Sequence, residues 1–174
     1  MSQSVTTVGD RPDELVVNKE EFNATSVDDE IRADRLCQKL LRRYYDSLLA
    51  EGLTPGDATA LANGADYFVR DFLVGFKHRN LFDEQSGIVR QFAGNWYIAN
   101  TLEPSLEELA GHLRGVSSFY GFLASRGLIA PSFLAAIAGE CANLAYYERR
   151  IATFWEIEQD GYLAWERDCS LKDI

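Results

Sequence analysis

Residues 105–131 read SLEELAGHLRGVSSFYGFLASRGLIAP, a helix with both of its ends marked. Ser105 stands three residues before Glu108, the pairing in which each side chain satisfies a backbone N–H at the other residue. Leu106, Leu109, Leu113, Val116, Tyr120 and Leu123 then recur at alternating steps of 3 and 4, which places them on one helical face. Phe119 and Phe122 widen that stripe, so the helix is expected to be buried on more than one side. Gly127 suits a left-handed helix end, and Pro131 cannot continue the helix. A central, buried helix is predicted.

Working outward, four further helices and no strand can be read. The first spans about Ser26 to Glu51, opening on Asp28, Asp29 and Glu30, where the helix dipole favours negative charge. Its apolar face is Ile31, Cys37, Leu40, Leu41, Tyr44, Leu48 and Leu49, and Gly52 ends it. The second starts at Thr54-Pro55-Gly56-Asp57, a capping hydroxyl followed by proline at the first helical position. Ala58, Leu61, Ala65, Phe68, Phe72 and Phe76 mark its inner face. The third, about Glu84 to Thr101, turns Ile88, Phe92, Trp96 and Ala99 inward.

The fifth is the longest. From Leu134 to Cys169 the series Ile137, Cys141, Leu144, Glu148, Ile151, Trp155, Glu158, Tyr162, Trp165, Cys169 keeps a 3–4 rhythm without slipping. Unbroken, it would extend roughly 54 Å at 1.5 Å per residue. A domain of this size has a radius of gyration of roughly 16 Å. Either the helix breaks, with Gly161 the natural place, or a second chain covers its far half.

A chain of 174 residues is most simply one domain. Its 47% hydrophobic content, with ten Phe, eight Tyr and three Trp, excludes wholesale disorder. No apolar run approaches the roughly 20 residues a membrane span needs, and MSQSVTTVGDRPDE lacks the basic-then-apolar order of a secretory signal. Cys37, Cys141 and Cys169 are odd in number and far apart, so they imply neither a disulfide framework nor a metal pair, and point to a reducing cytoplasm. The net charge of −10 is uneven: residues 1–30 hold eight acidic and two basic side chains. Residues 1–25 are therefore expected to be a mobile acidic tail, and 26–174 a single all-α domain of five helices.

Helices two to four carry a resemblance. Tyr67-Phe68-Val69-Arg70-Asp71-Phe72-Leu73, then His112-Leu113-Arg114-Gly115-Val116-Ser117-Ser118-Phe119-Tyr120-Gly121-Phe122-Leu123, then Arg126-Gly127-Leu128-Ile129 and Pro131 are similar to the SAM-like core-binding domain of tyrosine recombinases, the phage-type integrases. The resemblance covers about residues 54–131. It implies a SAM-like helical bundle and a DNA-clamping ancestry. In that family a second domain supplies an arginine, a lysine, a His-x-x-Arg pair and a nucleophilic tyrosine. His78-Arg79 and His112-Leu113-Arg114 do not have that spacing, and 43 residues follow Pro131, so recombinase chemistry is not expected. The fourth helix offers Arg114 and Arg126 against Glu107 and Glu108, fewer cations than the family's clamp helices present.

Candidate chemistry is sparse. Glu108 and His112 lie four apart and could share a metal, but a di-iron bundle needs two Glu-x-x-His pairs, and the chain has two histidines in all. A surface ion pair is the expected arrangement. The three cysteines fall on apolar faces, where a free thiol acts as a small hydrophobe. No glycine-rich phosphate loop is present.

The first helix gathers Arg35, Lys39, Arg42 and Arg43 on one side, a solvated face or a surface for nucleic acid or an acidic partner. The chain's own acidic tail could also neutralise it in part. Glu148 and Glu158 interrupt the last helix; each must reach solvent or a cation such as Arg149, Arg150 or Arg167, or else fix the register of a helix pairing.

The functional expectation is a non-enzymatic interaction module without metal or cofactor, away from membranes. It forms a homo-oligomer through Ile151, Trp155, Tyr162 and Trp165 of the last helix. The competing reading is a DNA-binding accessory protein using Arg35, Lys39, Arg42 and Arg43. An enzyme is the third.

Overall fold

The computed structural model describes residues 15–169. Seven helices pack together, and no strand occurs among the described residues. They are α1 (Val27–Ala50), α2 (Pro55–Asp66, prolonged through Tyr67–Phe76), α3 (Ile88–Gln91, Phe92–Trp96 and Tyr97–Asn100 as one rod), α4 (Leu106–Ser125), α5 (Pro131–Ala142), α6 (Leu144–Trp155) and α7 (Tyr162–Arg167). A 3₁₀ turn, Lys19–Phe22, precedes them.

α4 is the central helix. Its Leu109, Leu113, Val116, Phe119, Tyr120 and Leu123 are buried, each contributing about 1.5–3 kcal/mol. Ser105 caps its start by accepting from the Glu108 N–H at 3.2 Å. The reciprocal half of the expected cap is replaced. The Tyr97 hydroxyl accepts from the Ser105 N–H at 3.2 Å and donates to the Glu108 carboxylate at 2.7 Å, so α3 is tied into the start of α4. At the far end Gly127 takes φ +70° and the Leu128 N–H closes onto the Leu123 carbonyl at 3.0 Å, a left-handed helix stop.

α2 crosses α4 at a contact without side chains. A Cβ on Gly64 would stand 2.9 Å from the His112 Cα, and one on Gly115 would meet the Leu61 carbonyl and, at 2.9 Å, the Ala65 nitrogen. On another side α1 packs through Tyr44, whose ring lies 5.3 Å edge-on to Phe119 and whose hydroxyl bonds Ser118 at 2.7 Å.

Two helices depart from the expected rhythm. Tyr67–Phe76 and Phe92–Trp96 close i→i+5 hydrogen bonds, as in the Lys77 N–H to Phe72 carbonyl bond of 2.8 Å. Each wider turn carries extra residues per revolution and rotates the next stretch of helix about its axis. Hence Leu73 and Val74 go inward, while Phe76, expected inside, is 45% exposed. In α3, Tyr97 and Ile98 are buried and Ala99 is exposed, the reverse of the expected order for Ala99. In α1 the expected apolar face holds from Cys37 to Leu48, but Ile31 and Leu49 reach the surface.

The expected long last helix does not form as one rod. It breaks at Asn143, whose ψ of 51° leaves the helical region, and again after Trp155, in a turn where Gln159 takes φ +53°. Gly161 ends that second break. The Tyr147 hydroxyl donates to the Glu140 carbonyl at 2.7 Å, which serves the first break. The expected tail is also corrected in part. Phe22 and Ala24 are buried, Phe22 lying edge-on to Phe82 at 5.0 Å, and Asn80 donates to the Lys19 carbonyl at 2.7 Å. Residues 1–14 of that tail lie outside the described residues.

Glu140 of α5 holds the start of α3. One carboxylate oxygen accepts from the Gly87 N–H at 2.6 Å and the other from the Arg90 N–H at 2.9 Å. The carboxylate thus satisfies helix-start donors that no side chain of α3 itself caps. Glu140→Ala should lower stability by about 1–2 kcal/mol, read as the urea midpoint at unchanged m-value.

Candidate interaction surfaces

Helical periodicity turns Ala33, Cys37, Leu40, Leu41, Tyr44 and Leu48 of α1 into the core, which leaves Arg35, Lys39, Arg42 and Arg43 together on the outside. Arg42 pairs with Asp46 at 3.3 Å and covers the Tyr45 ring at 5.5 Å. Among the described residues Arg35, Lys39 and Arg43 have no carboxylate at ion-pair distance, whereas Arg32 has Asp29 at 2.8 Å. Lys39 and Arg43 also edge a shallow groove between α1 and the segment from Leu15 to Phe22. Arg70 differs from these cations. It forks to Asp34 at 2.8 Å and to Asp66 at 3.0 Å, joining α1 to α2.

The second surface is the tip formed by the end of α6, the turn after it and α7. Trp155 is 59% exposed, Leu163 64% and Tyr162 39%. Exposed Glu156, Glu158 and Asp160 run through the intervening turn. Glu148 is likewise exposed, so solvent satisfies its charge. Of the four residues expected to form one continuous contact, the structure separates two from the surface. Ile151 is half-buried and packs against the core. Trp165 is buried at 5% exposure, because α7 folds back against α6 instead of extending it.

What receives Trp165 is Arg150, which the sequence offered only as one of several cations near Glu148 and Glu158. Arg150 is 5% exposed, and its guanidinium lies 3.8 Å from the centre of the Trp165 ring. It donates to the Gly94 carbonyl at 2.8 Å and to the Trp165 carbonyl at 2.7 Å, while the Trp165 indole N–H donates back to the Arg150 carbonyl at 3.1 Å. One terminal nitrogen of the guanidinium, Nη2, has no hydrogen-bond partner among the described residues. Burial lowers the Arg150 pKa, since charge here rests on carbonyls and an aromatic face. Asn95 completes the dock by donating to the Cys169 carbonyl at 2.6 Å. The sequence signal for this role of Arg150 is its place three residues after Tyr147 and four before Phe154, on the inner side of α6.

The candidate chemical groups are otherwise engaged. The expected Glu108–His112 ion pair is replaced: the Glu108 carboxylate takes the Tyr97 hydroxyl, and His112 packs among rings, 4.9 Å from that of Tyr67. Burial lowers the His112 pKa despite Glu108, which keeps the imidazole neutral at pH 7. Burial pushes the Cys37 and Cys141 thiols up to about 12, which favours unreactive thiols. Among the described residues no three His, Cys, Asp or Glu side chains converge as a metal site would require, and no helix is long and apolar enough to cross a membrane. No protein-family model, curated protein or solved structure matches this chain.

Proposed function

We propose that this chain is a non-enzymatic helical interaction module that self-associates through its C-terminal tip. The observation that carries this reading is the exposure of three large apolar side chains, Trp155 at the end of α6 and Tyr162 and Leu163 at the start of α7, which solvent alone does not favour. The contact rests on these three residues and not on Trp165, which is used inside the chain. The burial of the thiols and the engagement of Glu108 support the absence of catalysis.

Light scattering on the purified protein should give a mass above 19.6 kDa. Trp155→Ala with Leu163→Ser should reduce it to one subunit. A wild type that stays monomeric across the accessible concentration range would reject the proposal.

The cations of α1, of which Arg35, Lys39 and Arg43 have no carboxylate partner among the described residues, favour a second reading, contact with duplex DNA. It predicts a salt-sensitive gel shift weakened by Arg42→Glu with Arg43→Glu. The net charge of −10 works against it.

A further inference from the structure

Building on the proposed self-association, we infer that the tip of one copy docks on the basic face of α1 of another copy. The contact is heterologous, joining two different patches of the same molecule. Between Trp155 and Asp168 the chain carries Glu156, Glu158, Asp160, Glu166 and Asp168 against the single cation Arg167. The α1 face carries four cations, three of them without a carboxylate partner among the described residues. The two surfaces are of opposite charge, and each is exposed, so they do not cover one another within one chain.

Symmetric alternatives are disfavoured by the same charges. Tip against tip would bring two acidic patches together, and α1 against α1 two basic ones; like-charge juxtaposition is costly in an interface. The pairing of tip with face also matches apolar with apolar. Trp155 and Leu163 would meet the exposed Ile31, which borders Arg35 on that face. An arginine of α1 over the Trp155 ring would repeat the cation–ring contact that Arg150 and Trp165 make at 3.8 Å inside the chain. A heterologous contact leaves one free tip and one free face at the ends of any open assembly, so growth stops only by ring closure.

Two surface variants test this. The tip variant is Trp155→Ala with Leu163→Ser; the face variant is Arg42→Glu with Arg43→Glu. Each alone should run as a 19.6 kDa monomer with wild-type circular dichroism. Mixed in equal amounts they should form a particle of twice that mass, because one retains a working face and the other a working tip. The mixed dimer should dissociate as salt is raised.

Two monomeric variants that stay apart on mixing would overturn the inference. So would a face variant that assembles like the wild type while the tip variant does not; the proposed function would then stand, with tip meeting tip. A wild-type monomer would remove both. A face variant of wild-type mass that has lost a salt-sensitive shift of duplex DNA would assign α1 to nucleic acid instead. Where the tip variant loses its circular dichroism, Glu156→Lys with Glu158→Lys replaces it; where the face variant does, Arg35→Glu with Lys39→Glu replaces it, and the same outcomes are expected on mixing.

Discussion

Arg150→Ala should remove about 3–5 kcal/mol of unfolding free energy, as much as truncating a fully buried aromatic ring. The guanidinium supplies bonds to the Gly94 and Trp165 carbonyls and a stacking surface for the indole. Hydrogen bonds from a charged donor contribute about 1.5–3 kcal/mol each, and a desolvated cation–ring contact about 2 kcal/mol, with strong overlap between these contributions. Truncation also leaves two carbonyls without their donor in a buried place. Arg150→Lys should recover little, since an ammonium cannot present the planar fork that reaches both carbonyls while lying flat on the ring. The check is urea unfolding followed by tryptophan emission, in which the variant should also show a red-shifted native spectrum as Trp165 becomes wet. A loss below about 1 kcal/mol would mean that desolvation of the charge cancels its bonds, and that the C-terminal dock is held by apolar packing alone.

The second large effect is at the crossing of α2 and α4. Gly115→Ala should cost about 3 kcal/mol, at the upper end of overpacking penalties. The added Cβ would strike the Leu61 carbonyl and the Ala65 nitrogen, which are backbone atoms that cannot rotate aside. The helices must separate along their length, and the buried stripe of α4 loosens with them. Gly121→Ala is the matched control on the same helix. A Cβ there meets nothing within 4 Å, so the variant should gain about 0.5–1 kcal/mol from reduced backbone entropy in the unfolded chain. Thermal melts of the two variants should move in opposite directions; a shared direction would show that the close crossing is not what constrains Gly115.

Much of this fold was readable in the residues themselves. The capping side chains Thr54 and Ser105 accept the N–H groups that their positions predict, and the buried stripe of α4 keeps its 3–4 spacing. Such features are local, and local propensity specifies them. What escaped was set by tertiary context. A period of 3.6 cannot register the wider turns at Tyr67–Phe76 and Phe92–Trp96, which expose Phe76 and Ala99. The last segment keeps its rhythm in the sequence across Asn143 and the Trp155–Gly161 turn, yet Glu148, Trp155, Glu158 and Tyr162 of that series are exposed while Ile137, Cys141, Trp165 and Cys169 are buried. Periodicity registers neither the breaks in the axis nor the reversal before α7.

The surfaces divide in the same way. The four cations of α1 were visible as a spacing, and they stand together on the outside. Trp155 and Tyr162 were visible as aromatics on a regular series, but nothing in that series distinguishes them from Trp165, which the chain reversal before α7 withdraws from solvent. Arg150 was hidden for the opposite reason: a charged residue on an inner face reads as a surface neighbour until its two carbonyl acceptors are known.

The bond from Glu140 to Gly87 spans 53 residues and that to Arg90 spans 50. The opening turn of α3 therefore has its anionic cap only after the polypeptide has been made well past α4. During synthesis α1, α2 and α4 can settle against each other with α3 still fraying at its start, and arrival of α5 closes the structure. That order leaves the start of α3, rather than the α1–α2–α4 packing, open to proteases until α5 is in place.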